Sequence, residues 1–471
     1  MNTFRLTAFA ATLAITACVT VPKTGPQQQP IAGSTLGLTA SGAMQRPTQT
    51  WWAAFGDAQL DRLMQDALAN NPGLAQAMAR VREAQAMADA SNAGLYPSVS
   101  YDAQETRERF SRHGEIPPPF AGGTYWQGSQ GLNLSWDLDF WGRQSSLLKQ
   151  ARSQTSAEVL DAASARLALS GAVAQGYVEL FRNHALAEVA QRSLAQRQGI
   201  LEITRKRVDA GLDSKIELHE AEGAVPQAQV ALKQAQAAVE LTIHQLAALS
   251  GHGAEAYAAI ETPSLDPAAA LPLPTALPAD LIGRRPDILA ARDRVEAATS
   301  GQAAAKAAFY PDVNLVAFAA TSAIGFGNLF QAASGSAGAG PALHLPVFDA
   351  GRLRSEYRGA TAEIDAAVDG YNETVLHAVQ QAADQLSLIR ALDAELIDQQ
   401  KSLDEAEAAY QLAEERYRNG MTSYLTVLGS QTRVLSARGE HVELVSDQAI
   451  ARINLLLAVG GSFDPDAQLP L

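Results

Sequence analysis

Two segments of the chain alternate apolar with polar residues at the period of two that is typical of β-strands. Turn-forming residues interrupt each segment near its middle, at Gly114 in the first and Gly325 in the second. We therefore predict two strand hairpins, over residues 97–140 and 311–348, and four strands in all. Their apolar positions are predicted to form one face of each sheet: Leu132, Leu134, Trp136, Leu138, Leu343 and Leu345.

Each predicted hairpin is followed by a long stretch without proline, residues 142–208 and 351–417. Both stretches contain 67 residues, which as an α-helix would extend roughly 100 Å at 1.5 Å per residue. Gly211 and Gly420 follow shortly afterwards, and glycine commonly ends a helix because it adopts the left-handed conformation without strain. The sequence thus predicts two very long helices with coiled-coil-like spacing, each closed by a glycine turn.

Shorter helical segments accompany the long ones. A return helix is predicted after each turn, over residues 214–250 and 423–459, and a helix of about 23 residues precedes each hairpin, over 72–94 and 286–308. One return helix and one short helix together approach the length of a long helix. Two short helices stacked end to end can therefore run beside each long one, as in the wall of a cylinder.

The chain contains the same plan twice. Pro72 and Pro286 are 214 residues apart, and after the hairpins Gly142 and Gly351 are 209 apart. A length difference of this kind belongs in a loop. The repeat divides the chain into a first unit over residues 51–262, a linker over 263–278, and a second unit over 279–471.

The N-terminus has the pattern of an export signal. An apolar run follows Arg5, and the small residues before Cys18 resemble a bacterial lipobox, with ordinary cleavage near Ala17 as the alternative. We expect residues 1–17 to be a signal peptide, Cys18 to be lipidated, and 18–50 to be an extended tether. By the sorting rule of such lipoproteins, Val19 after the cysteine implies the outer membrane.

Composition excludes several classes of function. The net charge of −14 and the absence of a basic, phosphate-neutralising motif argue against nucleic acid as a partner. No nucleophile, phosphate-loop or metalloprotease motif is present, so we predict no enzymatic activity, no catalytic residues and no cofactor. His219 and Glu222 are one helical turn apart, but a third ligand is lacking nearby, and we predict no metal site.

Four strands cannot span a membrane alone, because an open sheet would leave unpaired edge groups in lipid. Closed membrane barrels begin at about eight strands. The apolar faces of the hairpins would then contact lipid, and Trp126, Trp136 and Trp141 are candidates either for an interfacial aromatic girdle or for plain strand packing. Several copies must share one barrel, and this argument leaves open whether two or three do so.

Several motifs carry a resemblance that covers nearly all of the chain after the expected signal peptide. They are Trp51-Trp52 with Asn70-Asn71-Pro72, Leu277-Pro278-Ala279-Asp280-Leu281 with Arg284-Arg285-Pro286-Asp287-Ile288, Phe348-Asp349-Ala350-Gly351-Arg352, and Arg416-Tyr417-Arg418-Asn419-Gly420. With them the chain resembles the outer-membrane factor family, in its lipoprotein branch that serves resistance–nodulation–division efflux pumps.

The resemblance implies a mainly α-helical fold with a membrane β-barrel portion. A homotrimer would form a 12-stranded barrel on a 12-helix periplasmic tunnel, lipid-anchored in the outer membrane, and would contact a periplasmic adaptor and an inner-membrane pump. The implied function is a passive exit duct for drugs or other small toxic compounds, metal ions among them. An exit duct for secreted proteins and a lipid-anchored periplasmic spacer are the alternatives.

The same resemblance places a periplasmic gate at the two turns between long and return helices. Tyr417 and Leu425 match a family tyrosine and a constricting leucine, whereas Gly429 stands where the family has an aspartate that forms an acidic ring. Acids of the facing turn can supply that charge, or they can simply begin a solvated helix. The candidate tip residues are Asp209, Gly211, Asp213, Glu217, Glu220, Tyr417, Gly420, Ser423, Leu425 and Gly429.

Overall fold

A computed structural model of the chain describes residues 20–33, 36, 47–269, 271, 273–274, 283 and 285–464. The expected signal peptide and lipidation site, Cys18, lie outside the described residues, as do parts of the expected tether and linker. The helices are α1 (Ala58–Asn70), α2 (Pro72–Ala93), α3 (Arg143–Asp209), α4 (Lys215–Leu249), α5 (Pro286–Ala307), α6 (Arg352–Arg418) and α7 (Tyr424–Ala458). The strands are β1 (Ser98–Arg109), β2 (Thr124–Asp137), β3 (Asp312–Ile324) and β4 (Gly335–His344).

The predicted fold class is confirmed: the described residues are mainly helical and contain four strands and two helices of 67 residues each. Both long helices begin and end one residue later than predicted, and both return helices are shorter by one residue at each end. None of the described helices contains a stretch that is long and apolar enough to cross a bilayer.

The chain forms two compact units. The first unit comprises the described N-terminal residues up to 30 together with residues 80–158 and 290–371. It contains the sheet and the adjoining ends of the helices. The other contains the described residues of 31–79, 159–289 and 372–464.

In the first unit, the two hairpins form one antiparallel sheet in the order β1-β2-β3-β4. Leu132 lies between Tyr101 of β1 and Ala319 of β3, and Leu134 lies between Val99 and Ala317 in the same way. These partners share one apolar face because side chains alternate sides along a strand. Leu132, Tyr101 and Val99 are all exposed, so the apolar face is uncovered in a single chain.

The strand prediction was wrong at the ends of both hairpins. β2 ends at Asp137 and β4 at His344, so Leu138 and Leu345 lie just beyond the strands. After the first hairpin, Asp139 turns the backbone with a φ of 45°. Its carboxylate accepts hydrogen bonds from two backbone amides in the first turn of α3. In the second hairpin Pro346 follows, and proline has no N–H to continue a ladder.

In the second unit, the main core surrounds Trp51, Trp52 and Phe55, which are all buried. The Asp57 carboxylate accepts hydrogen bonds from the Tyr177 hydroxyl at 2.7 Å and from the Ser264 amide at 2.7 Å. Burial acts to raise the pKa of Asp57, but the hydrogen bonds from Tyr177, Ser264 and Gln59 together hold that pKa below its ordinary value. A charged group is thus accommodated at the edge of an apolar core because it is fully hydrogen-bonded.

Equivalent hydrogen bonds join return and short helices in both repeats. The Asn71 side chain donates to the carbonyl of Leu249 at 2.9 Å, and the Arg285 guanidinium donates to the carbonyl of Ala458, also at 2.9 Å. Each donor stands immediately before the proline that begins α2 or α5. These bonds satisfy carbonyls that the end of a helix leaves without an intrahelical partner, and they link the end of α4 to the start of α2 and the end of α7 to the start of α5.

Candidate functional site

The two turns between long and return helices have the same backbone geometry. Gly211 and Gly420 both have a φ of 74°. The amide of Leu212 donates to the Arg207 carbonyl at 2.8 Å, and that of Met421 donates to the Arg416 carbonyl at 2.8 Å. This is the Schellman arrangement, in which a left-handed residue lets the chain reverse and satisfies the last carbonyls of the helix. The sequence prediction of glycine turns is reproduced at both positions.

A network of polar side chains lies at the first turn and joins it to the end of α6. The Arg207 guanidinium donates two parallel hydrogen bonds to Asp213, at 2.8 and 3.0 Å, and the Tyr417 hydroxyl donates to the same carboxylate at 2.6 Å. Arg207 also donates to the Tyr417 carbonyl at 3.0 Å, and its guanidinium carbon is 4.6 Å from the centre of the tyrosine ring. We call Thr204, Arg207, Asp213 and Tyr417 the tip network.

The tip network is shielded from water. Tyr417 has no exposed surface, and its hydroxyl is also 3.1 Å from the Thr204 hydroxyl, which is equally buried. Around it pack Ile200, Tyr410, Tyr424 and Val427. A charged bidentate pair in such surroundings is stronger than one at an open surface.

Electrostatics reinforce this arrangement. The hydrogen bonds from Arg207, and then that from Tyr417, hold the pKa of Asp213 below its ordinary value although burial opposes them. Burial, together with the hydrogen bond to Asp213, raises the pKa of Tyr417 to about 12. At neutral pH the carboxylate is therefore ionised and the phenol is a hydrogen-bond donor, as the network requires.

The remaining predicted tip residues do not join this network. Glu217 accepts from the amide of Ser214, and the Ser214 side chain accepts from the amide of Ile216, so both residues cap α4. Asp209, Glu220 and Ser423 are exposed. Of the acids proposed to replace an acidic ring, Asp213 and Glu217 are thus already engaged within the chain.

Leu425 and Gly429 lie on the exposed surface of α7 near its start. Leu425 is 63% exposed, and a Cβ atom added at Gly429 would meet nothing within 4 Å. Leu425 has three counterparts of similar exposure at the two turns: Leu212, Ile216 and Met421. Leu212 and Met421 are 209 residues apart, as are Ile216 and Leu425, so the apolar tip is duplicated.

Sequence reasoning did not identify Arg207 and Thr204 as site residues. Arg207 does have a local sequence signal, because an arginine six residues before Asp213, across a tight turn, is a spacing that permits an ion pair. Thr204 carried no comparable signal, because its role depends on the proximity of α3 to α6.

No group of three or more histidine, cysteine, aspartate or glutamate side chains suited to a metal ion occurs in the described part of the chain. His219 is 3.5 Å from Glu222, and both side chains are well exposed. Two ligands at the surface do not make a zinc site of ordinary geometry.

Comparisons with known proteins agree with this architecture. The sequence model of the family described as outer membrane efflux protein matches residues 63–252 and 277–461. The fusaric acid resistance protein FusA of Burkholderia cepacia is 35% identical over 77% of this chain and 70% of its own length. The pyoverdine export outer membrane protein OpmQ of Pseudomonas putida is 30% identical over 91% of both chains.

Among solved structures, the outer membrane protein VceC of Vibrio cholerae superposes with a TM-score of 0.83 at 33% identity. The match covers 89% of this chain and all of VceC. The chain therefore belongs to the outer membrane efflux protein family, and it is the outer-membrane component of an efflux system.

Proposed function

We propose that three copies of the chain form a passive exit duct for small organic compounds, closed at its periplasmic tip by the tip network. A periplasmic adaptor and an inner-membrane resistance–nodulation–division pump open it and supply the energy. The proposal of a gate rests on the 2.6 Å hydrogen bond that the buried Tyr417 hydroxyl donates to Asp213. It connects the end of α6 to the turn after α3, two elements that must separate if the tip is to widen.

The sheet supports the assembly of several copies. β1 and β4 are its outermost strands, and among the described residues each pairs with another strand on one side only. Unpaired backbone groups in lipid are costly, so the outer edges must pair with neighbouring copies. Three copies give twelve strands, the number that the family resemblance implies. The exposed apolar face of Val99, Tyr101 and Leu132 supports contact with lipid and speaks against a soluble periplasmic spacer.

The exposed apolar tip supports docking of a partner. Leu212, Ile216, Met421 and Leu425 are each 60–70% exposed, at equivalent positions of the two turns. Exposed apolar groups that cluster on a soluble surface commonly mark an interaction site. Its location beside the tip network allows contacts of an adaptor to be coupled to opening, in the manner of a two-state element biased by a ligand.

Membrane attachment through Cys18 is a further part of the proposal. Each buried acyl CH₂ contributes roughly 0.8 kcal/mol, so several chains on one residue give durable anchoring. Labelling of growing cells with radioactive palmitate tests it: the wild-type protein should incorporate label and Cys18→Ala should not. Equal labelling of both would disprove lipidation at this position.

The gate is tested by Tyr417→Phe in planar bilayers. The substitution removes one hydrogen bond to a charged group, worth about 1.5–3 kcal/mol, and so should raise the open population roughly tenfold or more. Tyr410→Phe is the matched control, because Tyr410 is buried in the same cluster but lies outside the tip network. Equal conductance of wild type and Tyr417→Phe would contradict a gate at this bond.

A further inference from the structure

The first turns of the two long helices carry charges of the wrong sign for a helix N-terminus. Neither α3 nor α6 has an acidic residue in its first turn, whereas Arg143, Arg352 and Arg354 lie there. Cations near a helix N-terminus oppose the helix dipole. The carboxylates of Asp139 and Asp349 accept hydrogen bonds from amides at these helix starts, and Arg352 pairs with Glu356, so part of this charge is neutralised within the chain.

Four exposed basic side chains lie near these helix starts, at similar angular positions on their respective helices. They are Lys149 and Arg152 on α3 and Arg354 and Arg358 on α6. When the two helices are aligned by the repeat offset of 209, Lys149 coincides with Arg358. At a rotation of 100° per residue about the helix axis, the four positions fall within an arc of about 60°. None of the four has a carboxylate within ion-pair distance among the residues described here. We call them the basic face.

The described N-terminal segment lies on the same side of α6. The amides of Gln27 and Gln28 donate to Asp365 at 2.7 and 2.9 Å, and Asp365 falls inside the angular range of the basic face. Further back, Val21 packs against the cluster that includes Leu353 and Tyr357. The segment thus runs along α6 toward its start and reaches the level of Arg354.

The charge pattern on α3 and α6 stands independently of the lipidation that is proposed for Cys18.

Exposed aromatic residues mark the same level. Phe140 and Trp141 precede α3, Phe348 precedes α6, and all three are at least half exposed. Trp141 stacks on Tyr310, which precedes β3, with ring centres 4.7 Å apart. Aromatic residues are enriched where a membrane protein crosses the boundary between hydrocarbon and headgroups.

We propose that the basic face binds the phosphate groups of anionic phospholipids in the inner leaflet of the outer membrane. Arginine and lysine pair strongly with phosphate oxygens, and juxtamembrane basic residues are attracted to anionic lipid. The four side chains lie within the first ten residues of α3 and α6, close in sequence to the exposed aromatic residues that precede these helices, where headgroups are expected. Zwitterionic lipid, with its own ammonium group, should bind less well.

The test is lipid-dependent thermal stabilisation of the purified full chain in detergent. Phosphatidylglycerol should raise the melting temperature of the wild type by several degrees more than phosphatidylcholine does. Arg354→Gln with Arg358→Gln should lose at least half of that difference, and adding Lys149→Gln and Arg152→Gln should abolish it. The wild-type difference should also shrink in 0.5 M NaCl, because salt screens exposed charges.

Lys233→Gln with Lys401→Gln is the matched control. Both lysines are exposed on helices, and Lys401 is about 70 Å along α6 from its start, so the lipid response should stay at the wild-type value. An undiminished lipid preference in the quadruple variant would overturn the proposal, as would an equal shift caused by inorganic phosphate alone. Conductance in planar bilayers, measured on the same samples, separates this outcome from a failure of the duct itself.

Discussion

At the residue scale, Asp213 is the centre of the tip network, because it accepts hydrogen bonds from both Arg207 and Tyr417. One carboxylate thus holds the guanidinium of its own turn and the phenol at the end of another helix. Its removal would leave Arg207 as an unpaired cation beside a buried ring. The tyrosine could be predicted by resemblance and the Arg207–Asp213 pair from its spacing. The contacts of Thr204 and Arg207 with Tyr417 could not, since they arise only when α3 and α6 pack together.

Acid should open the gate. The pKa of Asp213 is lower in the folded chain than its ordinary value of about 3.9, so its contribution to the closed state is fully present above that value. The contribution is lost as pH falls through the lowered pKa. Conductance of the wild type should therefore increase when the pH is brought well below 4.

Asp213→Asn separates this effect from general acid damage. Asparagine cannot form the charged pair at any pH, so the variant should conduct more at pH 7 and change less on acidification. An equal acid response in the wild type and in Asp213→Asn would rule out titration of Asp213 as the trigger.

Gly429 offers a second prediction at this scale. Gly429→Asp places a carboxylate on an exposed part of α7 where a Cβ has free space, so the chain should fold normally. If this surface lines the duct, three added charges should shift the reversal potential in a KCl gradient toward cation selectivity. Gly429→Asn, which is similar in size but neutral, is the control, and an equal potential in both variants would place residue 429 away from the permeation path.

At the scale of elements, periodicity predicted the hairpins and the long helices to within a few residues. It failed at Leu138 and Leu345, where alternation continues in the sequence after the strand has ended. There the backbone is controlled by a helix-capping aspartate and by a proline, which override the apolar pattern. The predicted stacking of short helices is matched by the equivalent bonds from Asn71 and Arg285.

The contact between the end of α4 and the start of α2 requires a glycine at position 251. Gly251 has a φ of 78°, and a Cβ there would lie 2.6 Å from the carbonyl oxygen of Asn70. Gly251→Ala should therefore destabilise the chain by about 1–3 kcal/mol through backbone strain and crowding. Circular dichroism at 222 nm during heating should show a lower melting temperature.

Gly223→Ala is the control for that prediction. Gly223 lies within α4 with nothing within 4 Å of an added Cβ, and alanine favours a helix over glycine by about 1 kcal/mol. The melting temperature should be unchanged or higher. If Gly251→Ala behaved in the same way, the close approach to Asn70 would have no energetic importance.

At the scale of the whole molecule, the repeat produces two similar turns and one sheet with two free edges. Light scattering of the detergent-solubilised protein, corrected for detergent, should give three times the chain mass of 49.8 kDa, less any processed signal segment. Cys18→Ala should give the same number of chains, because edge pairing and not the lipid drives assembly. A monomer or dimer of either protein would contradict the shared barrel.

The repeat is imperfect at the tip, and that imperfection has a consequence for how the duct responds. The position equivalent to Asp213 is Thr422, and the position equivalent to Tyr417 is Val208, so only one of the two turns in each chain carries the polar network. A trimer would then contain three tip networks on six turns. If full dilation requires all three networks to separate, the probability of dilation scales as the cube of the probability that one network separates. A partner that engages only one or two chains would leave the exit nearly shut, so the exit would open only when assembly with the partner is complete.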